Sequence, residues 1–173
     1  MSLNHLLLGQ AGVYRVLAEL LVREVNAYLP VVDVGVDILT LRGMRIQVKA
    51  TRLRTQQAKA LGMRGPAYFF SPSVKFRGSP ERRKRRFTLR RFSSEVDFVV
   101  FWGVDEDRFW IVPATLADGL TGLLLRPGRT VATQLGSRTN AVYAHENRWD
   151  LLGAVPQAPV NEVPALHIAG ESV

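Results

Sequence analysis

The stretch Val34-Gly35-Val36-Asp37-Ile38-Leu39-Thr40-Leu41-Arg42-Gly43-Met44-Arg45-Ile46-Gln47-Val48-Lys49-Ala50-Thr51 decides how the chain is read. Val34, Val36 and Ile38 alternate with Gly35 and Asp37, and Ile46 and Val48 alternate with Arg45, Gln47 and Lys49. Such alternation on either side of Arg42-Gly43 predicts two strands, Val32 to Leu41 and Met44 to Thr51. Gln47 and Lys49 are two residues apart, so both leave one strand face. Whether Asp37 shares that face depends on the loop. A two-residue turn at Arg42-Gly43 pairs Leu41 with Met44 and sets Asp37 opposite Val48, pointing the wrong way. A three-residue loop of Leu41-Arg42-Gly43 pairs Thr40 with Met44 and Asp37 with Gln47. Loops of that kind want a left-handed residue, which Gly43 supplies. A site made of these three side chains therefore predicts the three-residue loop or a bulge.

The residue types suit phosphodiester hydrolysis, which needs charge neutralised on the phosphate and a water activated for attack. Asp37 offers carboxylate oxygen to a hard cation such as Mg²⁺ or Mn²⁺, and Gln47 offers an uncharged amide oxygen. Lys49 is suited to positioning the water or stabilising phosphate charge. Taken alone, Asp37 and Lys49 are equally a cross-strand ion pair worth roughly 0.2–1 kcal/mol.

A chain of 173 residues, 47% of them hydrophobic, fits one domain with a single core. No uninterrupted apolar run reaches the ~18–20 residues of a membrane span. The N-terminus lacks a signal-peptide pattern, so a cytoplasmic protein with no membrane contact is expected. The absence of cysteine excludes disulfides, thiolate zinc sites and a cysteine nucleophile. His5, His145 and His167 show no ligand spacing. Lys and Arg number 23 against 15 acids, a net charge of +8, which attracts polyanions. Arg82, Arg83, Lys84, Arg85, Arg86, Arg90 and Arg91 are clustered, and Lys75 and Arg77 extend the patch. Phe87 and Phe92 interleave it, as in a phosphate-tracking element that supplies affinity more than base readout.

Helical periodicity predicts one helix over residues 3–29, closed by Pro30 and weakened early by Gly9 and Gly12. Ala67 to Phe70 reads as a strand, and 72–94 as a long loop or β-ribbon. Val96 to Val104 and Arg108 to Val112 read as a hairpin around Asp105-Glu106-Asp107. Its first strand is apolar enough to be buried on both faces. A helical turn is expected at Thr115 to Gly119 and a last helix at Asn140 to Leu152. The packed domain is expected to cover 1–152, followed by a Pro-containing tail over 153–173.

The ordered set of motifs resembles the PD-(D/E)XK nuclease superfamily. More narrowly it resembles the D…QxK branch of group I intron homing endonucleases and related bacterial proteins. The resemblance rests on Tyr14-Arg15-Val16-Leu17-Ala18-Glu19-Leu20, Gly35-Val36-Asp37-Ile38-Leu39 and Ile46-Gln47-Val48-Lys49. Phe98 to Phe101, Phe109-Trp110-Ile111-Val112-Pro113 and Trp149-Asp150-Leu151-Leu152 complete it. It implies an α/β, restriction-endonuclease-like fold, with a mixed central sheet flanked by helices. It also implies Mg²⁺- or Mn²⁺-dependent cleavage of double-stranded DNA, with Asp37 and Gln47 as metal ligands and Lys49 as the catalytic lysine. Because cutting two strands often takes two sites, a homodimer or higher homo-oligomer is compatible with it. The family's first helix commonly carries a glutamate just before its aromatic residue, and here that position holds Val13. The departure keeps a second reading open, a non-cleaving DNA-binding relative on the same fold. A third is a basic structural protein of a ribonucleoprotein.

Overall fold

The computed structural model describes residues 3–31, 35–55, 65–71, 74–77, 86–89, 91–120, 122–128 and 138–154. In chain order its elements begin with α1 (Leu3–Val22), β1 (Ala27–Tyr28), β2 (Ile38–Thr40), β3 (Arg45–Thr51) and β4 (Leu53–Arg54). Then come β5 (Ala67–Phe70), β6 (Val74–Arg77), β7 (Arg86–Leu89), β8 (Phe98–Gly103) and β9 (Arg108–Pro113). The last are α2 (Ala114–Ala117), β10 (Leu123–Leu125) and α3 (Arg138–Tyr143). The main sheet has the order β1-β2-β3-β8-β9. β3 and β8 are parallel and the other neighbours antiparallel, so the sheet is mixed, as expected. A smaller sheet orders β10-β5-β4, and β6 pairs with β7 as a two-stranded ribbon.

A parallel pair needs a crossover. Here residues 52–97 make it, and they include β4 and β5 of the small sheet and both strands of the ribbon. Two apolar clusters cover the two faces of the main sheet. On one face Val16 and Leu20 of α1 pack over Ile38, Ile46, Val48, Val100 and Ile111. On the other, Tyr68, Phe70, Leu123 and Leu125 of the small sheet pack over Val99, Phe101, Trp110 and Val112. β8 is buried from Val99 to Gly103, so its nearly unbroken apolar sequence has a physical cause in contacts on both sides. The β8–β9 hairpin turns through a 3₁₀ segment, Val104–Glu106, with Asp107 left-handed at φ 50°. Asp107 then accepts from Arg15 Nε at 3.1 Å and from Trp102 Nε1 at 2.8 Å, which ties α1 to the turn.

Several expectations are corrected. The first helix ends at Val22, because Glu24 turns left-handed at φ 62° and closes a Schellman motif. Val25 N–H donates to Leu20 O at 2.8 Å, and Glu24 N–H to Leu21 O at 3.0 Å. Val25 continues the helical periodicity only because it packs back against the cluster holding Leu20. The strand expected over Val32 to Leu41 is reduced to β2, with residues 32–34 outside the described set. Its alternation fails at Asp37, whose N–H donates to Ile46 O although Ile38 is the residue paired with Ile46, so Val36 and Ile38 join opposite clusters. The last helix is split into α3 and a 3₁₀ turn, Trp149–Leu152, with Asn147 left-handed at φ 54° between them. The helical turn predicted at Thr115 lies at Ala114–Ala117, and β10 was not expected. Asn4–Val22 is, by length and composition, long and apolar enough to cross a membrane, contrary to the sequence reading. In the fold its two charges are engaged instead. Arg15 meets Asp107, and Glu19 meets Arg15 and Arg23.

Gly12 has a packing role that its low helix propensity does not reveal. A Cβ there would lie 2.9 Å from Ala50 Cβ and 3.3 Å from Trp102, so the glycine lets the helix approach β3 closely. Around Gly9 nothing lies within 4 Å. Gly9→Ala is therefore expected to stabilise by up to about 1 kcal/mol through helix propensity. Gly12→Ala gains the same propensity but overpacks the interface at a cost of about 1–3 kcal/mol, giving net destabilisation. Urea unfolding midpoints check both, and equal shifts would contradict the close-approach role.

Candidate active site

The loop between β2 and β3 has the geometry that the three side chains require. Ile38 pairs with Ile46 and Leu39 with Arg45, the register that sets Asp37 opposite Gln47. Thr40 N–H donates to Met44 O at 3.0 Å, and Gly43 N–H to Thr40 O at 2.9 Å. Gly43 is left-handed at φ 82°, as a three-residue loop demands. Thr40 Oγ1 also accepts from Met44 N–H at 3.0 Å, which braces the loop from inside.

Beyond this pairing β2 leaves β3. Asp37 N–H still donates to Ile46 O at 3.0 Å, but among the described residues none on the β2 side pairs with Val48. A buried backbone N–H left unmatched is costly. The Asp37 carboxylate replaces the missing rung, with Oδ2 accepting from Val48 N–H at 2.7 Å. The same oxygen accepts from Gln47 Nε2. Gln47 is buried, at 7% exposure, and Lys49 is half-buried one step along the same face. Lys49 lies in register with Phe101, whose ring meets Phe70 edge-on at 5.1 Å. Asp37, Gln47 and Lys49 thus share the face turned away from α1.

No acid of the first helix is directed to the Asp37–Gln47 pair. Val13 packs in the α1-side cluster and Gln10 is exposed. Glu19 is held by Arg15 at 2.7 Å and Arg23 at 3.0 Å. Among the described residues no cluster of three His, Cys, Asp or Glu side chains occurs. A cation here would have one carboxylate and one amide from the chain. Water or phosphate oxygens would complete the shell, a donor set that suits Mg²⁺. The Gln47 amide presents nitrogen to Asp37, and half a turn about its last bond would present Oε1 instead.

Sequence reasoning did not foresee a brace beside the site. Asp97 precedes β8, and its Oδ2 accepts from Arg45 N–H at 2.8 Å while Arg45 Nη2 donates to Oδ1 at 2.9 Å. The hydrogen bonds from Arg45 hold the Asp97 carboxyl below its ordinary value. No local pattern links the two, since 52 residues separate them.

The basic segment forms a ribbon over the part that is described. Lys75 pairs with Thr88 and Arg77 with Arg86. Arg82, Arg83, Lys84, Arg85 and Arg90 lie outside the described residues. Arg91 is exposed at the ribbon's return. Phe70 and Phe92, on either side of the ribbon in sequence, are both buried in the cluster that holds Phe101. The chain thus enters and leaves the segment that holds the ribbon at buried anchors of that cluster.

Two outcomes follow from this geometry. Asp37→Ala should destabilise the metal-free protein by about 1–3 kcal/mol, because Val48 N–H loses its acceptor. Asp37→Asn, which keeps an acceptor, should cost less in the same denaturant titration, and equal costs would contradict the ladder role. Stability lent by the lowered Asp97 is present above the ordinary carboxylate pKa of about 3.9. It is lost as pH falls through the lower folded value. The stability gap between the protein and Asp97→Asn should therefore be constant from neutral pH to about pH 5 and close below about pH 4.

No protein-family model matches the chain, and no curated protein matches its sequence. A solved structure does match its backbone, that of I-Ssp6803I, described as a bacterial homing endonuclease. The TM-score is 0.60 and the identity 18%, over 84% of this chain and 90% of that one. At that identity the likeness concerns the fold, and the chain has the mixed-sheet α/β nuclease fold seen in I-Ssp6803I.

Proposed function

We propose that the chain is a DNA endonuclease of the PD-(D/E)XK type, dependent on Mg²⁺ or Mn²⁺, with double-stranded DNA as substrate and the cytoplasm as its location. The observation that carries this reading is the convergence of Asp37 and Gln47 where β2 leaves β3, with Lys49 on the same face. The likeness to a bacterial homing endonuclease and the basic ribbon support it. Fold alone does not assign chemistry, so the argument rests on the site.

Asp37 and Gln47 would hold the cation, which when bound supplies Lewis acidity to the phosphate and lowers the pKa of water. Asp37 is fixed for this by its backbone bond and by Val48 N–H, so its carboxylate is oriented before any ligand arrives. Lys49 contributes a donor and a positive charge beside the scissile phosphate, orienting the attacking water or stabilising developing charge. Arg91 and the ribbon cations hold the DNA backbone, a contribution that weakens steeply with salt.

Plasmid DNA with Mg²⁺ should be nicked or linearised, and EDTA should abolish this. Lys49→Ala should lower the rate by about 10²–10⁴-fold, the usual span for losing one group that acts in the transition state. Salt-sensitive binding without cleavage, with every divalent ion tried, would instead favour a non-cleaving DNA-binding protein. The apolar Val13 is the observation behind that second reading.

Gln47→Glu gives a separate outcome. A second carboxylate against Asp37 should destabilise the metal-free protein through like-charge contact. It should also lower the Mg²⁺ concentration for half-maximal thermal stabilisation, by about tenfold if one added charge follows the usual trend in ligand charge. Unfolding temperatures across a Mg²⁺ titration check this. An unchanged midpoint would remove Gln47 from the metal site.

A further inference from the structure

We infer that α1 is the homodimer interface, pairing antiparallel with α1 of a second copy across a two-fold axis near Tyr14. The inference does not depend on the nuclease reading. It starts from the two sides of one helix. Val16 and Leu20 are fully buried against the sheet. Leu7, Ala11, Tyr14, Ala18 and Leu21 fall roughly 140–220° around the helix from Val16, on the side away from the main sheet, with Leu7 and Ala11 at the rim of a cleft against Arg52, Leu53 and Arg54. They are exposed, Leu7 by 60%, Tyr14 by 55% and Leu21 by 51%, and Leu6 and Val22 beside them by 57% and 67%. Among the described residues, no apolar cluster covers this stripe.

The spacing identifies the occupant. Intervals of four, three, four and three residues from Leu7 to Leu21 are those of a helix–helix seam, which a two-helix contact buries in register. Large and small side chains alternate along it. Leu7, Tyr14 and Leu21 are knobs, and Ala11 and Ala18 leave room for a partner's knobs and a close approach. The stripe is also nearly palindromic. Leu7 and Leu21 each lie seven residues from Tyr14, so an axis there sets Leu7 against the partner's Leu21 and Ala11 near the partner's Ala18. That is the self-complementarity an isologous contact requires. Antiparallel pairing also opposes the two helix dipoles favourably.

The area is sufficient. Taking 150–250 Å² for a whole aromatic side chain as the scale, each large residue of the stripe still offers about 100 Å². In two copies the three large residues supply roughly 600 Å², and full coverage of Ala11, Ala18, Gln10 and Val22 as well brings the total toward roughly 1,200 Å², the lower bound of specific interfaces. In such a dimer the two Asp37–Gln47–Lys49 faces lie on the outer sides, because each is turned away from its own α1.

The test needs neither DNA nor metal, so its failure is separable from failure of the nuclease reading. Light scattering on the full chain should give twice 19.3 kDa. Leu7→Glu with Leu21→Glu should give a monomer with the same circular dichroism and cooperative unfolding, since both positions are exposed. The chain has no cysteine, so single introduced cysteines report the pairing directly. Tyr14→Cys should form a disulfide dimer. Leu7→Cys alone should not, because its two copies would lie about 21 Å apart along the axis. Leu7→Cys mixed with Leu21→Cys should. A wild-type monomer at 100 µM would overturn the inference, whether residues 155–173 or a lipid surface then proved to cover the stripe. A dimer that survives the double glutamate substitution, or one in which Leu7→Cys cross-links to itself, would overturn it as well.

Discussion

The constraint on which the site depends is one backbone amide. Where β2 peels away from β3, Val48 N–H loses its strand partner, and the Asp37 carboxylate takes its place. Leaving such a donor unmatched in a buried position costs about 1–3 kcal/mol. The divergence is therefore tolerable only with an acceptor of the right reach at position 37. The same geometry gives the carboxylate its direction, opposite Gln47 and beside Lys49. A structural need and a chemical opportunity coincide in one side chain, and Asp37 is expected to serve stability in the metal-free protein and chemistry in the loaded one.

The layers around the sheet keep the two tasks apart. On one face α1 approaches closely through Gly12 and seals Val48, Ala50 and Trp102. On the other, the small sheet packs beside Phe101, and Gln47 is buried while Lys49 is half-covered. β8 is buried on both faces and supplies a rigid parallel neighbour for the strand that carries Gln47 and Lys49. Asp97 and Arg45 fasten the start of that strand, so the site is framed by elements with little freedom to shift.

Much of this arrangement was readable from local pattern. Parity across Leu41-Arg42-Gly43 gave the register, because the period of a strand is two and a glycine stood where a left-handed residue was needed. Strand β5 and the hairpin about Asp105-Glu106-Asp107 were equally plain, from short apolar runs bounded by polar turns. The misses have physical causes that local pattern does not carry. Glu24, Asp107 and Asn147 are left-handed without being glycine, and at Glu24 and Asn147 the expected helices broke. Val25 preserved the helical period through a tertiary contact, and Leu123–Leu125 is too short to declare itself before Phe70 pairs with it. The break in alternation at Asp37 and the Arg45–Asp97 brace arise from long-range contacts that spacing does not record. The candidate residues were found from their types and order. The bond that holds Asp37 in place was not.

The central claim is that Asp37 and Gln47 receive a divalent cation at the point of strand divergence. Mn²⁺ titrated into isotopically labelled protein tests it most directly, through paramagnetic broadening of assigned amide signals. The account predicts that Val48 N–H, bonded to the Asp37 carboxylate, broadens first together with Gln47 and Asp37, and that Asp37→Asn removes the effect. Broadening centred elsewhere, or unchanged in Asp37→Asn, would contradict it.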